Sequence, residues 1–425
     1  MSKEFPVNEN IIEFIPALRA ILSDSGLKTL RLRMNDAFVP YCQKEESLRK
    51  VVEKTDFRYN YAWNGKYIYM DSLTPLEIIE AFISKLKDFR TQNSGTPQII
   101  IVKDYGVIAV GEDSDSADLI LDEFKATISE SGHKKTSIQR SKDNHEESFI
   151  PGILNNRICI VTGGAQGFGE GISRSLLQDG ANLVIADLNE EKGQQTTSEL
   201  KTICIKNNLF FVKTDVSDPE SVRNLVVDTV KNFGGIDVFV SNAGILKAGG
   251  LEEMDPASFS LMTKINYEGY FLCAKYASLV MKLQSKYKED YYSDIIQINS
   301  KSGLKGSNRN FAYAGGKFGG IGLTQSFALE LAPFRIKVNA ICPGNFFEGP
   351  LWSDPERGLF IQYLKAGKVP GAKTIEDVKR YYEKQVPLGR GCRVQDVMRA
   401  LTYIVSQVYE TGQAVPVTGG QEMLS

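Results

Sequence analysis

From residue 157 onward, short apolar runs alternate with longer segments whose apolar residues recur at helical spacing. Short continuous apolar runs are typical of strands that are buried on both faces of a parallel sheet. Strands that alternate with helical segments favour a sheet with helices on both faces. The runs are residues 157–161, 182–186, 209–212, 237–240, 295–298 and 336–341. The pattern predicts an α/β fold with a doubly wound parallel sheet over residues 149–425.

The first 128 residues have a different pattern, which predicts a smaller α+β domain. Gly26 is expected to end the first helix and Thr74 to cap the second, whereas Asp104 and Gly106 predict a hairpin turn. The predicted elements are a helix at 11–22, a strand within 59–70, a helix at 75–89, strands at 98–102 and 107–110, and a helix at 114–128. Residues 129–148 are almost entirely polar and predict a linker.

Composition narrows the classes of function. The net charge of −2 gives no reason to expect a nucleic acid or an anionic membrane surface as partner. The six cysteines are scattered singly, which predicts reduced core residues of a cytoplasmic protein. The only histidines, His133 and His145, lie in the polar linker, so we expect no metal site. No apolar segment is long enough to span a bilayer.

Residues 294–328 contain the strongest candidate for chemistry. An apolar run ends at Ser300, and a later helical pattern carries Tyr313 and Lys317 four residues apart, on one helix face. Ligands in such sheets bind at the carboxyl ends of the strands, where these three side chains are expected to converge. The ammonium of Lys317 is expected to lower the pKa of Tyr313, so that Tyr313 exchanges protons with an alcohol or carbonyl while Ser300 positions the same oxygen.

A glycine-rich turn, 162-TGGAQGFG-169, follows the first apolar run and precedes a helical pattern. Gly163, Gly167 and Gly169 would let the backbone approach a pyrophosphate that the helix N-terminus stabilises, as in a Rossmann-type sheet. Asp187 ends the second run, about twenty residues further on, where a carboxylate binds ribose hydroxyls and repels a 2′-phosphate. We therefore expect NAD, rather than NADP, as the cofactor.

The TGxxxGxG turn, the SxxG at Ser300, and Tyr313 with Lys317 together resemble the short-chain dehydrogenase/reductase family. The resemblance implies that Asn266 joins Ser300, Tyr313 and Lys317 in a catalytic tetrad and supports proton relay through a water. It also implies a homo-oligomer, a tetramer or a dimer. The cofactor-binding residues that it implies are Thr162, Gly163, Gln166, Gly167, Phe168, Gly169, Asp187, Asp215, Val216, Asn242, Ala243, Gly244, Tyr313, Lys317, Pro343 and Gly344.

The chain departs from the family pattern after Pro343 and Gly344. The family usually has a threonine there that contacts the nicotinamide amide, whereas this chain continues 345-NFFEGP-350, so the backbone must make that contact or it is absent. The small residues at 241–244 let the chain pass close to the cofactor, and the Asn242 side chain is expected to hold backbone rather than substrate.

Residues 351–384 form a long insertion rich in aromatic and cationic residues, which predicts a substrate lid or, alternatively, polar surface helices. Several stretches, including QINSKSG at 297–303 and PLGRGC at 387–392, resemble family members that act on hexitol phosphates. This resemblance implies interconversion of a hexitol phosphate and a ketose phosphate, in the first place sorbitol 6-phosphate and fructose 6-phosphate. Lys247, Lys301 and Arg390 are the candidate phosphate ligands.

Other functions stay open at this point. The substrate could be another sugar or polyol, or the chain could be bifunctional or bind NAD without catalysis. Residues 99–124 resemble the C-terminal portion of class II aldolase domains, which hold a metal on a histidine cluster that this segment lacks. We therefore expect the N-terminal domain to be catalytically silent and to serve oligomerisation or packing.

Overall fold

A computed structural model provides the fold of the chain. It describes residues 9–129, 152–203 and 208–423, apart from 25, 35–36, 56–62, 72, 357 and 366. Almost all of the predicted linker, with both histidines, lies outside the described residues.

The larger of two sheets is the predicted parallel sheet, and it confirms the doubly wound fold. Its seven strands lie in the order β11-β10-β9-β8-β5-β6-β7. Their bounds are β5 (Ile158–Thr162), β6 (Asn182–Asp187), β7 (Leu209–Lys213), β8 (Val238–Ser241), β9 (Ser293–Ile298), β10 (Ile336–Pro343) and β11 (Ala414–Val417). The strand order reverses between β5 and β8, which is where ligands bind in such sheets.

Helices cover both faces of this sheet. They are α6 (Gly167–Gln178), α7 (Glu190–Lys201), α8 (Pro219–Phe233), α9 (Pro256–Thr263), α10 (Gly269–Tyr287), α11 (Phe311–Leu331), α12 (Pro350–Ser353), α13 (Leu359–Lys365), α14 (Ile375–Lys384) and α15 (Val394–Ser406). The central strands are buried throughout, as their continuous apolar sequences predict. Each strand therefore delivers the residue that follows it to one common edge.

The N-terminal domain has a four-stranded mixed sheet in the order β1-β4-β3-β2. Its elements are α1 (Ile15–Leu22), β1 (Thr29–Arg33), α2 (Val39–Gln43), α3 (Glu45–Lys54), β2 (Tyr67–Met70), α4 (Pro75–Gln92), β3 (Ile99–Val102), β4 (Gly106–Gly111) and α5 (Ser114–Ile128). The predicted hairpin is present, and Asp104 and Gly106 have the positive φ angles of 66° and 131° that its turn requires. Thr74 and Glu77 form a capping box at the start of α4.

One expectation for this domain is wrong. A single helix was predicted over residues 11–22, but the structure has a 3-10 turn at Glu9–Glu13 followed by the separate helix α1. Pro16 lies in the first turn of α1. Proline cannot donate a backbone hydrogen bond and is suited to the first turn of a helix, so a new helix begins here.

The two domains share one hydrophobic core. Phe14 and Leu18 belong to the same buried cluster as Phe233 of α8 and Val280 of α10. Within this interface the guanidinium of Arg19 binds both carboxylate oxygens of Asp237 at 2.8 Å, and the two side chains are 1% and 0% exposed. The N-terminal domain is therefore fixed to the parallel sheet, which is consistent with a packing role.

A segment between β10 and α15 contains the predicted lid. Helices α12, α13 and α14 enclose a small aromatic core of their own. Trp352 lies at its centre and contacts the rings of Phe347, Phe360, Tyr363 and Tyr382 at centroid distances of 5.0–5.7 Å. The insertion thus folds as a compact subdomain beside the carboxyl edge of the sheet, rather than as separate polar surface helices.

Two further observations concern the whole molecule. None of the helices that the structure describes has the length and apolar character needed to cross a membrane. Five of the cysteines are free and buried, whereas Cys204 lies outside the described residues.

Candidate active site

The carboxyl end of β9 and the first turns of α11 bring the predicted catalytic residues together. Ser300 lies two residues beyond the end of β9, and its hydroxyl lies within hydrogen-bonding reach of the Tyr313 hydroxyl. The ammonium of Lys317 lies 5.6 Å from the centroid of the Tyr313 ring. Lys317 also donates to the backbone oxygen of Ile298 at 2.8 Å, and it is only 5% exposed. The last residue of the strand therefore fixes the lysine of the helix.

Electrostatics in this cluster differ from the expectation. Burial raises the pKa of Tyr313 to about 12, although the hydrogen bond with Ser300 acts in the opposite direction. Burial also lowers the pKa of Lys317 to about 8, because the charged ammonium loses hydration. The predicted lowering of the Tyr313 pKa by Lys317 is therefore wrong for this structure. Desolvation is the largest influence on the pKa of both groups.

Asn266 lies in a π-helical turn, Lys264–Glu268, at the start of α10. Its side-chain amide accepts from the backbone nitrogen of Ile245 and donates to the oxygen of the same residue, both at 2.9 Å. A Cβ atom added at Gly316 would lie 3.4 Å from the Cβ of Asn266, so this turn packs directly against the helix that carries Lys317. Asn266 thus joins the loop after β8 to the catalytic helix.

The glycine-rich turn has the geometry that a pyrophosphate site requires. Gly163 and Gly167 both have a φ of +60°, and α6 begins at Gly167. A Cβ atom at Gly169 would lie 1.9 Å from the backbone oxygen of Gly163, so only glycine fits there. The amide of Asn242 donates to the backbone oxygens of Thr162 and Gly163 at 2.9 and 3.0 Å. As expected, this side chain holds backbone.

The other predicted cofactor residues line the same edge. The carboxylate of Asp187 accepts from the backbone nitrogens of Ala165 and Asn189 at 3.1 and 3.0 Å, which ties the end of β6 to the glycine turn. The remaining residues lie as follows: the Thr162 hydroxyl accepts from the backbone nitrogens of Asn242 and Ala243, Gln166 is the N-cap residue of α6, Asp215 and Val216 follow β7, Gly244 lies beside Asn266, Pro343 ends β10 and Gly344 follows it.

The chain after Gly344 contains a polar group that sequence reasoning missed. Asn345 is 9% exposed, and its side-chain nitrogen has no hydrogen-bond partner among the described residues. A buried donor without a partner is costly, so such a group is suited to bind a ligand. Phe346, the next residue, stacks on Phe168 of the glycine turn at 4.4 Å. The glycines with positive φ angles, the Asp187 carboxylate at the end of β6 and the Asn345 amide donor all fit a nicotinamide dinucleotide.

Two of the three predicted phosphate ligands, Lys247 and Arg390, already bind side chains of the protein. The ammonium of Lys247 binds Asp255 at 2.9 Å and Ser258 at 2.7 Å. The guanidinium of Arg390 binds both oxygens of Asp396, at 2.6 and 3.0 Å. These carboxylates lie only eight and six residues further along the chain, and they disfavour Lys247 and Arg390 as phosphate ligands. Lys301, which is partly buried beside Ser300, stays a candidate.

Comparisons with known proteins agree with this geometry. A family model described as short chain dehydrogenase matches residues 157–351. Sorbitol-6-phosphate 2-dehydrogenase of Escherichia coli (strain K12) is 35% identical over 271 residues, which cover 63% of this chain and 99% of that protein. L-rhamnose-1-dehydrogenase of Scheffersomyces stipitis is 31% identical over 280 residues, covering 64% of this chain and 98% of that protein.

A solved structure gives the same result. The crystal structure of sorbitol-6-phosphate 2-dehydrogenase from Erwinia amylovora superimposes with a TM-score of 0.58 and 36% identity, covering 63% of this chain and all of that one. The family model begins at residue 157, after the N-terminal domain, so the resemblance of residues 99–124 to aldolases stays a prediction. The chain belongs to the short-chain dehydrogenase family, whose members are oxidoreductases that bind NAD(P) and act on CH–OH groups of small molecules.

Proposed function

We propose that this protein is an NAD-dependent dehydrogenase that interconverts a hexitol phosphate and a ketose phosphate, in the first place sorbitol 6-phosphate and fructose 6-phosphate. The observation that carries the proposal is the convergence of Ser300, Tyr313 and Lys317 beside a glycine turn that fits a dinucleotide. The choice of substrate is supported by the similarity to sorbitol-6-phosphate 2-dehydrogenase along nearly the whole length of that protein.

Each residue of the site has a separate role in such a reaction. NAD, when bound, supplies the acceptor for the hydride of the carbinol carbon. Tyr313 takes the hydroxyl proton and Ser300 orients the same oxygen by hydrogen bonding, while the buried ammonium of Lys317 lies 5.6 Å from the centroid of the Tyr313 ring. Asn266 holds the turn against the catalytic helix and so positions Lys317. In the reverse direction Tyr313, whose raised pKa keeps it protonated, donates the proton to the carbonyl.

Cofactor preference depends on Asp187. Its carboxylate lies at the end of β6 beside the glycine turn, the position at which a carboxylate in such a sheet binds the ribose hydroxyls and repels a 2′-phosphate. The Asp187→Asn variant keeps the shape but removes the charge, and we expect it to narrow the ratio of kcat/KM for NAD over NADP by about tenfold or more. Equal use of NAD and NADP by the unmodified protein would contradict this role.

NADH absorbance against a panel of hexitols and hexitol phosphates tests the function. We expect turnover with sorbitol 6-phosphate, and a loss of about 10²–10⁴-fold in kcat in the Tyr313→Phe variant with NAD affinity retained. Tyr409→Phe is the matched control, because Tyr409 is 98% exposed and far from this chemistry in the chain. Unchanged turnover in Tyr313→Phe would refute the mechanism.

A second candidate is a dehydrogenase for an unphosphorylated sugar or polyol, which the similarity to L-rhamnose-1-dehydrogenase favours. The same panel separates the two, because such an enzyme would turn over a free sugar or polyol faster than any phosphate. NAD binding without NADH formation on any substrate would instead indicate a protein that uses NAD as a structural ligand or that carries another activity.

We also propose that the protein is a homo-oligomer. Four large apolar side chains on α10 and α11, namely Phe271, Leu279, Phe318 and Leu329, are 42–81% exposed. Their burial between subunits would stabilise association. Size-exclusion chromatography with light scattering measures the mass directly, and a monomer across the accessible concentration range would contradict the proposal.

A further inference from the structure

The lid subdomain is attached to the catalytic helix by one buried polar contact. Asn310 caps the N-terminus of α11, three residues before Tyr313. Its amide donates to the hydroxyl of Tyr363 in α13 at 3.0 Å, and these two side chains are 6% and 3% exposed. The Tyr363 hydroxyl also lies near enough to Tyr313 to affect its pKa. One aromatic residue of the lid therefore lies beside the proposed acid–base group.

The turn that ends α13 places the ammonium of Lys368 over the ring of Tyr363. Gly367 has a φ of +59°, its nitrogen donates to the oxygen of Leu364, and the nitrogen of Lys368 donates to the oxygen of Tyr363. This is the Schellman pattern that ends helices at a glycine. As a result, the Lys368 ammonium lies 3.9 Å from the centroid of the Tyr363 ring, at a distance typical of a cation–π contact.

Other positive charges converge on the same place. Lys301, the residue after Ser300, and Arg309, the residue before Asn310, both lie near enough to Lys368 to lower its pKa. Together with burial, the larger effect, they lower it to about 8. Arg309 is paired with Glu253. Like charges held together in a partly buried site repel one another unless an anion binds between them.

Carboxylates neutralise only part of the positive charge of Lys301, Arg309 and Lys368. Among the described residues, no carboxylate oxygen lies within 4 Å of the ammonium of Lys301 or of Lys368. Glu422 is the nearest acidic group to act on Lys301, and it is already engaged by Lys305 at 3.3 Å. Lys247 and Arg390, in contrast, each have a carboxylate partner. Lys301, which follows Ser300 in the chain, and Lys368, which lies over the Tyr363 ring, are therefore cations without a carboxylate partner among the described residues.

We infer that Lys301 and Lys368 form an anion site that binds the phosphate of a phosphorylated polyol, on the lid side of Tyr313. The inference rests on the proposed function and deepens it by assigning the residues that recognise the phosphate. Lys301 approaches from the strand edge and Lys368 from the lid, so a bound phosphate joins the two parts and holds the lid over the substrate. Tyr363 supports Lys368 through its ring.

Kinetics with a phosphorylated and an unphosphorylated substrate test this site. For Lys368→Gln and Lys301→Gln we expect kcat/KM for sorbitol 6-phosphate to fall about tenfold to a hundredfold, the effect of losing a charged hydrogen bond, with that for sorbitol nearly unchanged. Lys368→Arg should restore much of the loss. Lys373→Gln is the control, because Lys373 is exposed and belongs to the same lid. Equal losses on both substrates, or no loss, would overturn the site.

A binding measurement separates this inference from the proposed function. Inorganic phosphate should raise the melting temperature of the NAD-saturated protein, and Lys301→Gln and Lys368→Gln should each weaken that effect, whereas Lys373→Gln should not. If no hexitol is oxidised but this pattern is observed, the anion site stands and the proposed function fails. If sorbitol 6-phosphate is oxidised but both variants respond to phosphate like the unmodified protein, the site is wrong and the function stands.

Discussion

Replacing Arg19 by alanine should destabilise the entire molecule, not only the N-terminal domain. Arg19 lies on α1, but its carboxylate partner, Asp237, directly precedes β8 of the parallel sheet. The same guanidinium also donates to the backbone oxygen of Lys28 at 2.7 Å and to the hydroxyl of Tyr291 at 3.1 Å. Asp237 further accepts from the backbone nitrogen of Ile158 in β5 at 2.8 Å. The pair thus connects both domains to the central strand.

The magnitude follows from burial. Both side chains are almost inaccessible to solvent, at 1% and 0% exposure, so Arg19→Ala leaves an uncompensated carboxylate in the protein interior. Breaking such a pair from one side costs about 3–5 kcal/mol. The exposed pair between Arg90 and Asp24 is a matched control, because its side chains are 45% and 64% exposed and such pairs contribute about 0–1 kcal/mol.

Urea unfolding monitored by tryptophan fluorescence measures this effect. The chain has two tryptophans, Trp63 in the N-terminal domain and Trp352 in the lid subdomain. Variants with Trp352→Phe or Trp63→Phe therefore report on each part separately. We expect the two probes to give coincident transitions, because the domains share a core, and we expect Arg19→Ala to shift both transitions by the same free energy.

Two results would refute the reasoning. One is a loss of stability in Arg19→Ala no greater than that in Arg90→Ala. The other is a shift confined to the Trp63 signal, which would mean that the N-terminal domain unfolds independently. The double variant Arg19→Met with Asp237→Asn checks the cause, because it removes both charges and should recover part of the loss.

Further predictions concern the active site. Burial lowers the pKa of Lys317 to about 8 from an ordinary value of 10.5. Between these pH values the unfolded chain binds more protons than the folded one, so the contribution of Lys317 to stability rises with pH. Lys317→Met should flatten that rise, measured as urea midpoints between pH 8 and 10.5. Gly169→Ala should abolish NAD binding, measured by calorimetry, because its Cβ would meet a backbone oxygen at 1.9 Å. Gly322→Ala, whose Cβ meets nothing within 4 Å, should bind NAD normally and gain about 0.5–1 kcal/mol in stability.

The proposed anion site gives the lid a specific role. An aromatic core keeps α12, α13 and α14 together, so the lid is one packed unit. Asn310 and Tyr363 attach it to α11 from one side. A phosphate bound between Lys301 and Lys368 would attach it from another. Substrate recognition and exclusion of water from Tyr313 would then result from the same contact.

Local spacing alone determined much of this protein. The apolar runs specified six of the seven strands of the parallel sheet, because a strand buried on both faces requires continuous apolar residues; the edge strand β11 was not among them. The glycine turn and the Tyr313–Lys317 pair were also found from spacing, since close backbone approach and a shared helix face are properties of neighbouring residues. Local reasoning failed at the split before α1, where Pro16 outweighed the apolar period, and it did not predict β1, α2 or α3.

Tertiary structure alone decided which charges meet and how strongly each is desolvated. Arg19 and Asp237 are 218 residues apart, and nothing in the sequence around either residue indicates the other. Lys247 and Arg390 looked as available as Lys301 until the structure showed them paired with Asp255 and Asp396, which lie eight and six residues away. Lys368 reached the site only through the turn at Gly367. The raised pKa of Tyr313 also results from tertiary structure, because the burial that raises it depends on distant segments of the chain, which local spacing cannot encode.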